Sequence, residues 1–217
     1  MNLKLPLVVS GLLIAGMVGL SAWAYAQLPA EHIATHFDIN GQANGWSGRM
    51  TFLTLMPVIA IALTALFAVM PGIMPRKGSL ERSEQAYDAA WLSSTGILAI
   101  THVELVLSAI GAVANPVQPI LAGVGLLFML LGNFLPKTRY NYMMGLRNPW
   151  TLADERVWDR THRLAGPIMM TFGAVVLASV FLLPLPDFFW VMGGGVAIVV
   201  LVPTVYSWQV AKRLGVV

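Results

Sequence analysis

Residues 132–163 read GNFLPKTRYNYMMGLRNPWTLADERVWDRTHR and interrupt a sequence that is otherwise strongly apolar. The stretch contains six of the thirteen Lys and Arg residues of the chain. A connection between two apolar helices needs only a few polar residues. This stretch is about thirty residues long and mixes Asn, Trp, Thr, Gly and Pro. We interpret it as the segment around which the rest of the chain is organised.

The composition of the whole chain indicates a membrane protein. Of its 217 residues, 57% are hydrophobic and only 11% are charged, too few to cover a water-soluble globule. Several apolar runs approach or exceed the roughly 20 residues that a helix needs to cross a bilayer. We therefore predict an all-α, polytopic membrane protein. The absence of cysteine excludes disulfides, thiolate catalysis and cysteine-based metal sites.

Hydrophobic runs that end at prolines and polar turns predict six transmembrane helices. They cover residues 5–25, 50–70, 89–113, 119–135, 164–183 and 188–206. The first run also resembles a secretory signal, since Ala24-Tyr25-Ala26 fits a small-residue cleavage site. It is long enough to span the bilayer, so we expect an uncleaved first helix. We divide the chain into an N-terminal two-helix unit, residues 1–75, and a four-helix unit, residues 76–217.

The distribution of basic residues predicts the orientation. If the N-terminus is cytoplasmic, twelve of the thirteen Lys and Arg residues lie inside and only Arg49 lies outside. This agrees with the positive-inside rule. We therefore expect both termini in the cytoplasm, the loop 26–50 outside and the segment 136–163 inside. The same bias accounts for the net charge of +3, so we expect no nucleic-acid partner.

The segment 136–163 contains signals for a tight turn followed by a helix. Asn148-Pro149 favours a turn, and Thr151 followed by Asp154 resembles a capping box. For the arginines of the charged helix that follows, the simpler interpretation is contact with anionic lipid headgroups. Asn141, Arg147 and His162 are stronger candidates for a specific role, because the chain must fold tightly around them.

Two further groups of polar residues are candidates for a site. His32 and His36 lie in the outer loop, and on a helix their four-residue spacing would place both rings on one face, which suits a Zn²⁺ or similar ion with Asp38 as a third ligand. The alternative is a solvated loop. His102 and Glu104 fall inside the third span, where ionisable groups are costly and face the bundle interior or a wet cavity. They form either a polar interior site or a hydrogen-bonded clamp.

The segment 132–163 resembles the signature of the SdpI family of bacterial membrane proteins. The matching elements are Gly132-Asn133, Pro136-Lys137, Asn141, Gly145-Leu146-Arg147, Pro149-Trp150-Thr151-Leu152, Trp158 and Thr161-His162-Arg163. From this match we take ten candidate site residues: Asn133, Asn141, Gly145, Arg147, Pro149, Trp150, Thr151, Trp158, His162 and Arg163.

Residues 28–49, LPAEHIATHFDINGQANGWSGR, resemble a small domain of unknown function that often precedes the SdpI region. They carry its Leu28-Pro29, His36-Phe37, Gly41 and Gly45-Trp46. The pattern of that domain includes a histidine at position 36 but not at position 32, which argues against a metal site common to the family.

The resemblance implies a non-enzymatic protein of the bacterial inner membrane, without a cofactor. The founding member confers immunity to a secreted peptide toxin and is thought to hold a transcriptional repressor at the membrane. The expected partners are thus the lipid bilayer, a peptide toxin outside and a repressor at the cytoplasmic face, with the oligomeric state left open. One alternative is a small transporter or channel that uses His102 and Glu104, with Gly193-Gly194-Gly195 and Pro203 kinking the last helix. The other is a metal-dependent membrane enzyme.

Overall fold

The computed structural model describes residues 1–73 and 80–217, and helices dominate both parts. The helices are α1 (Lys4–Ala24), α2 (Arg49–Ile73), α3 (Glu84–Ala109), α4 (Val117–Phe134), α5 (Pro149–Ala153), α6 (Glu155–Leu182) and α7 (Leu185–Arg213). A 3₁₀ helix, Leu135–Lys137, continues α4, and two strands, β1 (Ile33–Phe37) and β2 (Ala43–Ser47), lie between α1 and α2.

Six of the described helices are long and apolar enough to cross a membrane, which confirms the predicted fold class. They are α1, α2, α3, α4 with its 3₁₀ extension, α6 and α7, each 21 to 29 residues long. Large apolar side chains point outward from them, and Trp190 on α7 is 83% exposed. Such side chains suit contact with lipid. Which face is cytoplasmic stays a prediction from the charge count.

Several helix ends differ from the predicted ones. α2 continues through Pro71 to Ile73, the last residue described before the gap, because a proline removes only one backbone hydrogen bond and membrane helices tolerate it. α7 extends to Arg213, beyond the predicted end at residue 206. The predicted boundary between the two units at residue 75 lies outside the described residues, as do Arg76 and Lys77.

One side of the bundle, here called the terminal face, carries both chain ends. Met1 and Leu3 pack there on the cluster of Leu80, Tyr87 and Trp91, as do Met143 and Met144 from the loop before α5. Near the C-terminus, Leu214 and Val216 pack on Val157 and Val210. The loop and the two ends are therefore neighbours, as an even number of spans requires.

The opposite side, here called the hairpin face, contains a β-hairpin that the sequence analysis did not predict. β1 and β2 pair antiparallel, and Gly41 in the turn has a φ of +76°, which favours glycine. Asp38 closes this turn, since its Oδ1 accepts hydrogen bonds of 2.8 Å from the backbone N–H groups of Gln42 and Asn40. These bonds, the one from Gln42 above all, hold the pKa of Asp38 below its ordinary value.

The hairpin is anchored to the helix ends by a small apolar core and by Arg49. Leu28 and Ile33 pack with Phe52 of α2 and Val106 of α3. The Arg49 guanidinium donates 3.0 Å hydrogen bonds to the carbonyl oxygens of Tyr25 and Leu28. It thereby joins the end of α1 to the start of α2.

Contact between α4 and α6 is the closest helix packing in the four-helix part. It occurs at two glycine pairs, Gly132 with Gly166 and Gly125 with Gly173, and each helix spaces its glycines by seven residues. A Cβ on Gly132 would lie 2.5 Å from the Met170 backbone nitrogen and 2.8 Å from the Gly166 oxygen. A Cβ on Gly173 would lie 2.6 Å from the Gly125 oxygen. Small residues at a helix interface let membrane helices approach until their backbones touch.

We expect Gly132→Ala to destabilise the protein by about 1–3 kcal/mol, because the new methyl group meets backbone atoms that cannot move away. The measurement is the free energy of unfolding in detergent. Gly194→Ala on α7 is the matched control, since a Cβ there meets nothing within 4 Å. It should be neutral or stabilising, because alanine favours helices over glycine. Equal effects of both substitutions would contradict close packing at Gly132.

Candidate functional site

The motif loop, residues 138–148, connects the 3₁₀ helix to α5 at the terminal face and contains no helix or strand. It nevertheless has a defined shape, because side chains of the loop and of α6 satisfy its backbone groups. Most of the candidate residues from the sequence analysis take part in these contacts.

Two aromatic residues on the first turns of α6 form the base of the motif loop. Trp158 and His162 are four residues apart, so they share a face of the helix, and both are fully buried. Their rings stack with centroids 4.1 Å apart and an angle of 20° between planes. The indole Nε1 of Trp158 donates a 3.0 Å hydrogen bond to the carbonyl oxygen of Thr138, where the loop begins.

His162 holds the middle of the loop with both ring nitrogens. Its Nδ1 lies 2.9 Å from the carbonyl oxygen of Trp158, which can only accept a hydrogen bond. Its Nε2 lies 2.9 Å from the backbone nitrogen of Leu146, which can only donate one. These two partners assign a neutral imidazole with its proton on Nδ1. Because neither nitrogen is left for a substrate or a metal ion, His162 acts here as a structural clamp.

The backbone of Gly145 lies directly against the two rings. Its φ is +110°, which disfavours residues with a side chain. A Cβ would also clash with His162 Nε2 and lie 3.0 Å from Cζ2 of Trp158. Glycine is therefore required here for two separate reasons.

Asn141 shapes the first half of the loop from within. It is buried, and its Oδ1 accepts hydrogen bonds from the backbone nitrogens of Met143, at 2.7 Å, and Met144, at 2.8 Å. Its Nδ2 donates a 2.7 Å bond to the Arg139 carbonyl oxygen. The side chain thus replaces the backbone hydrogen bonds that a helix or strand would supply.

A capping box closes the loop, but it starts three residues earlier than predicted. Asn148, not Thr151, is the N-cap residue: its Oδ1 accepts from the Thr151 backbone N–H at 2.9 Å, and Thr151 Oγ1 accepts from the Asn148 N–H at 3.0 Å. Thr151 Oγ1 also lies 2.7 Å from the Leu146 carbonyl oxygen. The Asn148 Nδ2 donates to Ser207 Oγ at 2.8 Å, which joins the loop to α7.

Asp154 separates α5 from α6 and is the N-cap residue of α6. Its carboxylate accepts a 2.7 Å hydrogen bond from the Arg156 backbone nitrogen and forms an ion pair with the Arg156 guanidinium at 2.9 Å. The hydrogen bonds from Arg156 lower the pKa of Asp154 to about 2. Asp154 supplies the N-cap at which α6 begins. From there α6 continues without a break through the charged residues into the fifth span.

The remaining candidates face outward. Asn133, Arg147, Pro149 and Arg163 are exposed, and the Arg147 guanidinium donates a 2.6 Å hydrogen bond to the Tyr142 carbonyl oxygen. Trp150 is half-buried and packs against the cluster of Val157, Val210 and Ala211. Asn133, near the end of α4, makes no contact with the motif loop that the structure records.

His102 forms a hydrogen-bonded clamp between helices, one of the two alternatives that the sequence left open. Its Nε2 lies 3.0 Å from Ser21 Oγ and 3.2 Å from the Met17 carbonyl oxygen, both on α1. Ser21 in turn donates to the Leu53 carbonyl oxygen of α2 at 2.9 Å. Glu104 is half-buried one turn from the end of α3 and does not join this group. Through His102 and Ser21, hydrogen bonds join α1, α2 and α3 near the hairpin face.

The structure does not bring the proposed metal ligands together. His32 precedes β1 with a φ of +65°, and His36 lies within β1, so no helix aligns their rings. His36 Nδ1 is hydrogen-bonded to Asn44 Oδ1 across the hairpin, and Asp38 closes the turn. Among the described residues no group of three or more His, Asp and Glu side chains could hold a metal ion. The helical spacing argument was wrong, because the segment forms a strand.

Sequence reasoning missed two further contacts of the motif loop. Ser83, just before α3, accepts a 2.9 Å hydrogen bond at Oγ from the Arg139 backbone nitrogen. Met143 and Met144 pack against Tyr87 and Trp91 of α3. Both contacts join residues more than fifty positions apart, and no local pattern signals them.

We expect Gly145→Ala to cost more stability than Gly111→Ala, which serves as the matched control. Both glycines have positive φ values, of +110° and +77°, so both substitutions introduce about 1–2 kcal/mol of backbone strain. A Cβ on Gly111 meets nothing within 4 Å, whereas one on Gly145 collides with the His162 ring. The measurement is the thermal midpoint in detergent. Equal midpoints would show that the ring contact is unimportant.

We also expect the ¹⁵N shifts of His162 at neutral pH to report a neutral ring protonated at Nδ1. The control is exposed His32, which should show exchange between tautomers because solvent surrounds it. A His162 ring protonated at Nε2 would contradict the assigned hydrogen bond from Leu146.

Comparison with known proteins agrees with this architecture. Residues 137–207 match the model of the SdpI/YfhL protein family, and residues 12–61 match a domain of unknown function, DUF1648. The chain is 28% identical over 160 residues to Immunity protein SdpI of Bacillus subtilis (strain 168), with 72% of each protein covered. No solved structure matches significantly. The chain is thus a multi-pass bacterial membrane protein that is similar to SdpI/YfhL proteins over residues 137–207 and to DUF1648 over residues 12–61.

Proposed function

We propose that this protein confers immunity to a membrane-active peptide toxin, relays the presence of that toxin to a cytoplasmic regulator, or does both. The observation that carries the proposal is the fixed shape of the motif loop. Asn141, Thr151 and His162 hold its backbone from within, while Arg147 and Pro149 stay exposed. A surface that is ordered before its partner arrives loses little conformational entropy on binding.

The same contacts favour binding over catalysis. Both ring nitrogens of His162 and both ends of the Asn141 amide are already hydrogen-bonded to the protein. A general base must be able to reach a substrate proton, and these groups are occupied. The similarity to a protein named for immunity supports the same interpretation.

Helix α3 offers a physical connection between the two faces of the bundle. At the hairpin face, Val106 packs in the core that anchors the hairpin. At the terminal face, Tyr87 and Trp91 pack with the methionines of the motif loop. Under this proposal, a peptide that binds at the hairpin face shifts α3 and thereby changes the surface around Arg147.

The alternative of a transporter or channel gains no support from His102 and Glu104. The hydrogen bonds from His102 to Ser21 and Met17 account for a polar group at that depth, and Glu104 does not join them. The glycines at 193–195 and Pro203 lie within the continuous helix α7.

The test is protection of a toxin-sensitive bacterium that lacks its own gene of this family. We expect expression of the protein to raise the inhibitory concentration of at least one membrane-active peptide in a broad panel. Arg147→Ala should reduce protection or the response of a co-expressed reporter severalfold, because it removes an exposed fork of hydrogen-bond donors. The matched control is Arg160→Ala, which removes an exposed arginine from the same face.

Equal membrane levels of all variants must be verified by immunoblotting. Unchanged sensitivity across the whole panel would contradict immunity. Equal protection by both arginine variants, together with equal reporter responses, would show that the motif loop is not the docking surface.

A further inference from the structure

An apolar groove runs along the outside of the bundle between α3 and α4. It has a volume of about 780 Å³ and is lined by side chains such as Leu92, Ile97, Leu126 and Leu130. Gly96 lines its floor, and a Cβ at this position would meet nothing within 4 Å. A larger residue at position 96 would therefore occupy part of the groove, which is open there because glycine has no side chain.

A polar cavity of about 470 Å³ adjoins the groove at the terminal face. Gln85 and Lys137 line both spaces, so the groove opens into the cavity. Three different parts of the chain supply the cavity's cations, which are Arg82, Lys137, Arg139 and Arg163. They outnumber its two carboxylates, Glu81 and Glu84.

Among the described residues, the cations of this cavity form no direct ion pair with a carboxylate. Within residues 1–73 and 80–217, the ion pair that the structure records joins Arg156 to Asp154, outside the cavity. Glu84 accepts a hydrogen bond from the backbone nitrogen of Asn2. The Lys137 ammonium lies 4.2 Å from the centre of the Phe134 ring. The Arg139 backbone is fixed by Ser83, while its side chain is exposed.

We infer that this composite site binds an anionic phospholipid, with an acyl chain in the groove and the phosphate among Lys137, Arg139 and Arg163. The apolar part requires a ligand with a long hydrocarbon chain, which free phosphate lacks. The basic part requires a negative charge at the depth where membrane helices end, and basic pockets between such helices bind anionic headgroups. A cationic peptide fits the groove but is repelled by the cavity. The lining of the groove includes a carboxyl group, that of Asp88, which lies one helical turn after Glu84 on α3.

The test measures lipid binding by the full-length protein in detergent, using native mass spectrometry. The probes are phosphatidylglycerol and phosphatidylcholine, which differ in net charge. We expect tighter binding of phosphatidylglycerol. Changing the three cations, Lys137, Arg139 and Arg163, to Gln should weaken it about fivefold for each cation removed, down to the level of phosphatidylcholine. The charge-matched control changes exposed Lys4, Lys212 and Arg213, which line neither the groove nor the cavity, to Gln, and should bind as the wild type does.

A second pair of variants tests the groove itself. Gly96→Leu fills the space and should weaken binding of both lipids, whereas Gly193→Leu on α7, where a Cβ also meets nothing within 4 Å, should leave binding unchanged. If Gly96→Leu does not fold, Ser93→Leu fills the same groove one turn away. Retained thermal midpoints identify the variants that are folded.

Three results would overturn the inference. The first is equal affinity of the wild type for the two lipids. The second is loss of binding in the triple-cation variant with unchanged binding in both groove-filling variants, which would indicate a headgroup contact without an acyl-chain site. The third is displacement of phosphatidylglycerol by inorganic phosphate at similar concentration, which would identify the ligand as a free anion.

Discussion

The backbone contact between α4 and α6 is the constraint on which the motif loop depends. Where Gly132 meets Gly166, the two helices are too close for any side chain, and the ring of Pro136 rests directly on Gly166. The chain therefore leaves α4 beside the first turns of α6. From there Thr138 can reach the Trp158 indole, and Leu146 can reach the His162 ring. A wider helix spacing would remove the base on which the loop is built.

The loop itself is ordered by polar side chains in place of repeating backbone hydrogen bonds. Asn141, Asn148, Thr151 and His162 each satisfy backbone groups that would otherwise be buried or strained, and such groups are costly to leave unpaired. This explains why a connector of this length has so specific a composition. It also separates the candidate residues into those that build the loop and those, such as Arg147, that the loop presents to solvent.

The sequence predicts the six spans well, because crossing a bilayer requires long apolar runs that survive in any tertiary context. For the motif loop, the sequence indicates which residues are candidates but not how most of them are arranged in space. Which side chains turn inward depends on the distance between α4 and α6, although the seven-residue glycine spacing on both helices is a signal that could have indicated their contact. The β-hairpin was missed because each strand is only five residues long and the second contains asparagine and glycine. The partners of His102 could not be predicted, since Ser21 and Met17 lie more than eighty residues away.

Helix α3 lies between the two matched regions, residues 12–61 and 137–207, and belongs to neither. It nevertheless bonds to α1 through His102 and packs against the motif loop through Tyr87 and Trp91. An exchange of either region between relatives by recombination would leave α3 facing an unfamiliar surface. A change in either region must therefore be matched by a change in α3. Chimaeric proteins joined at the region boundaries would need α3 to be redesigned on the side that contacts α1 and on the side that contacts the motif loop.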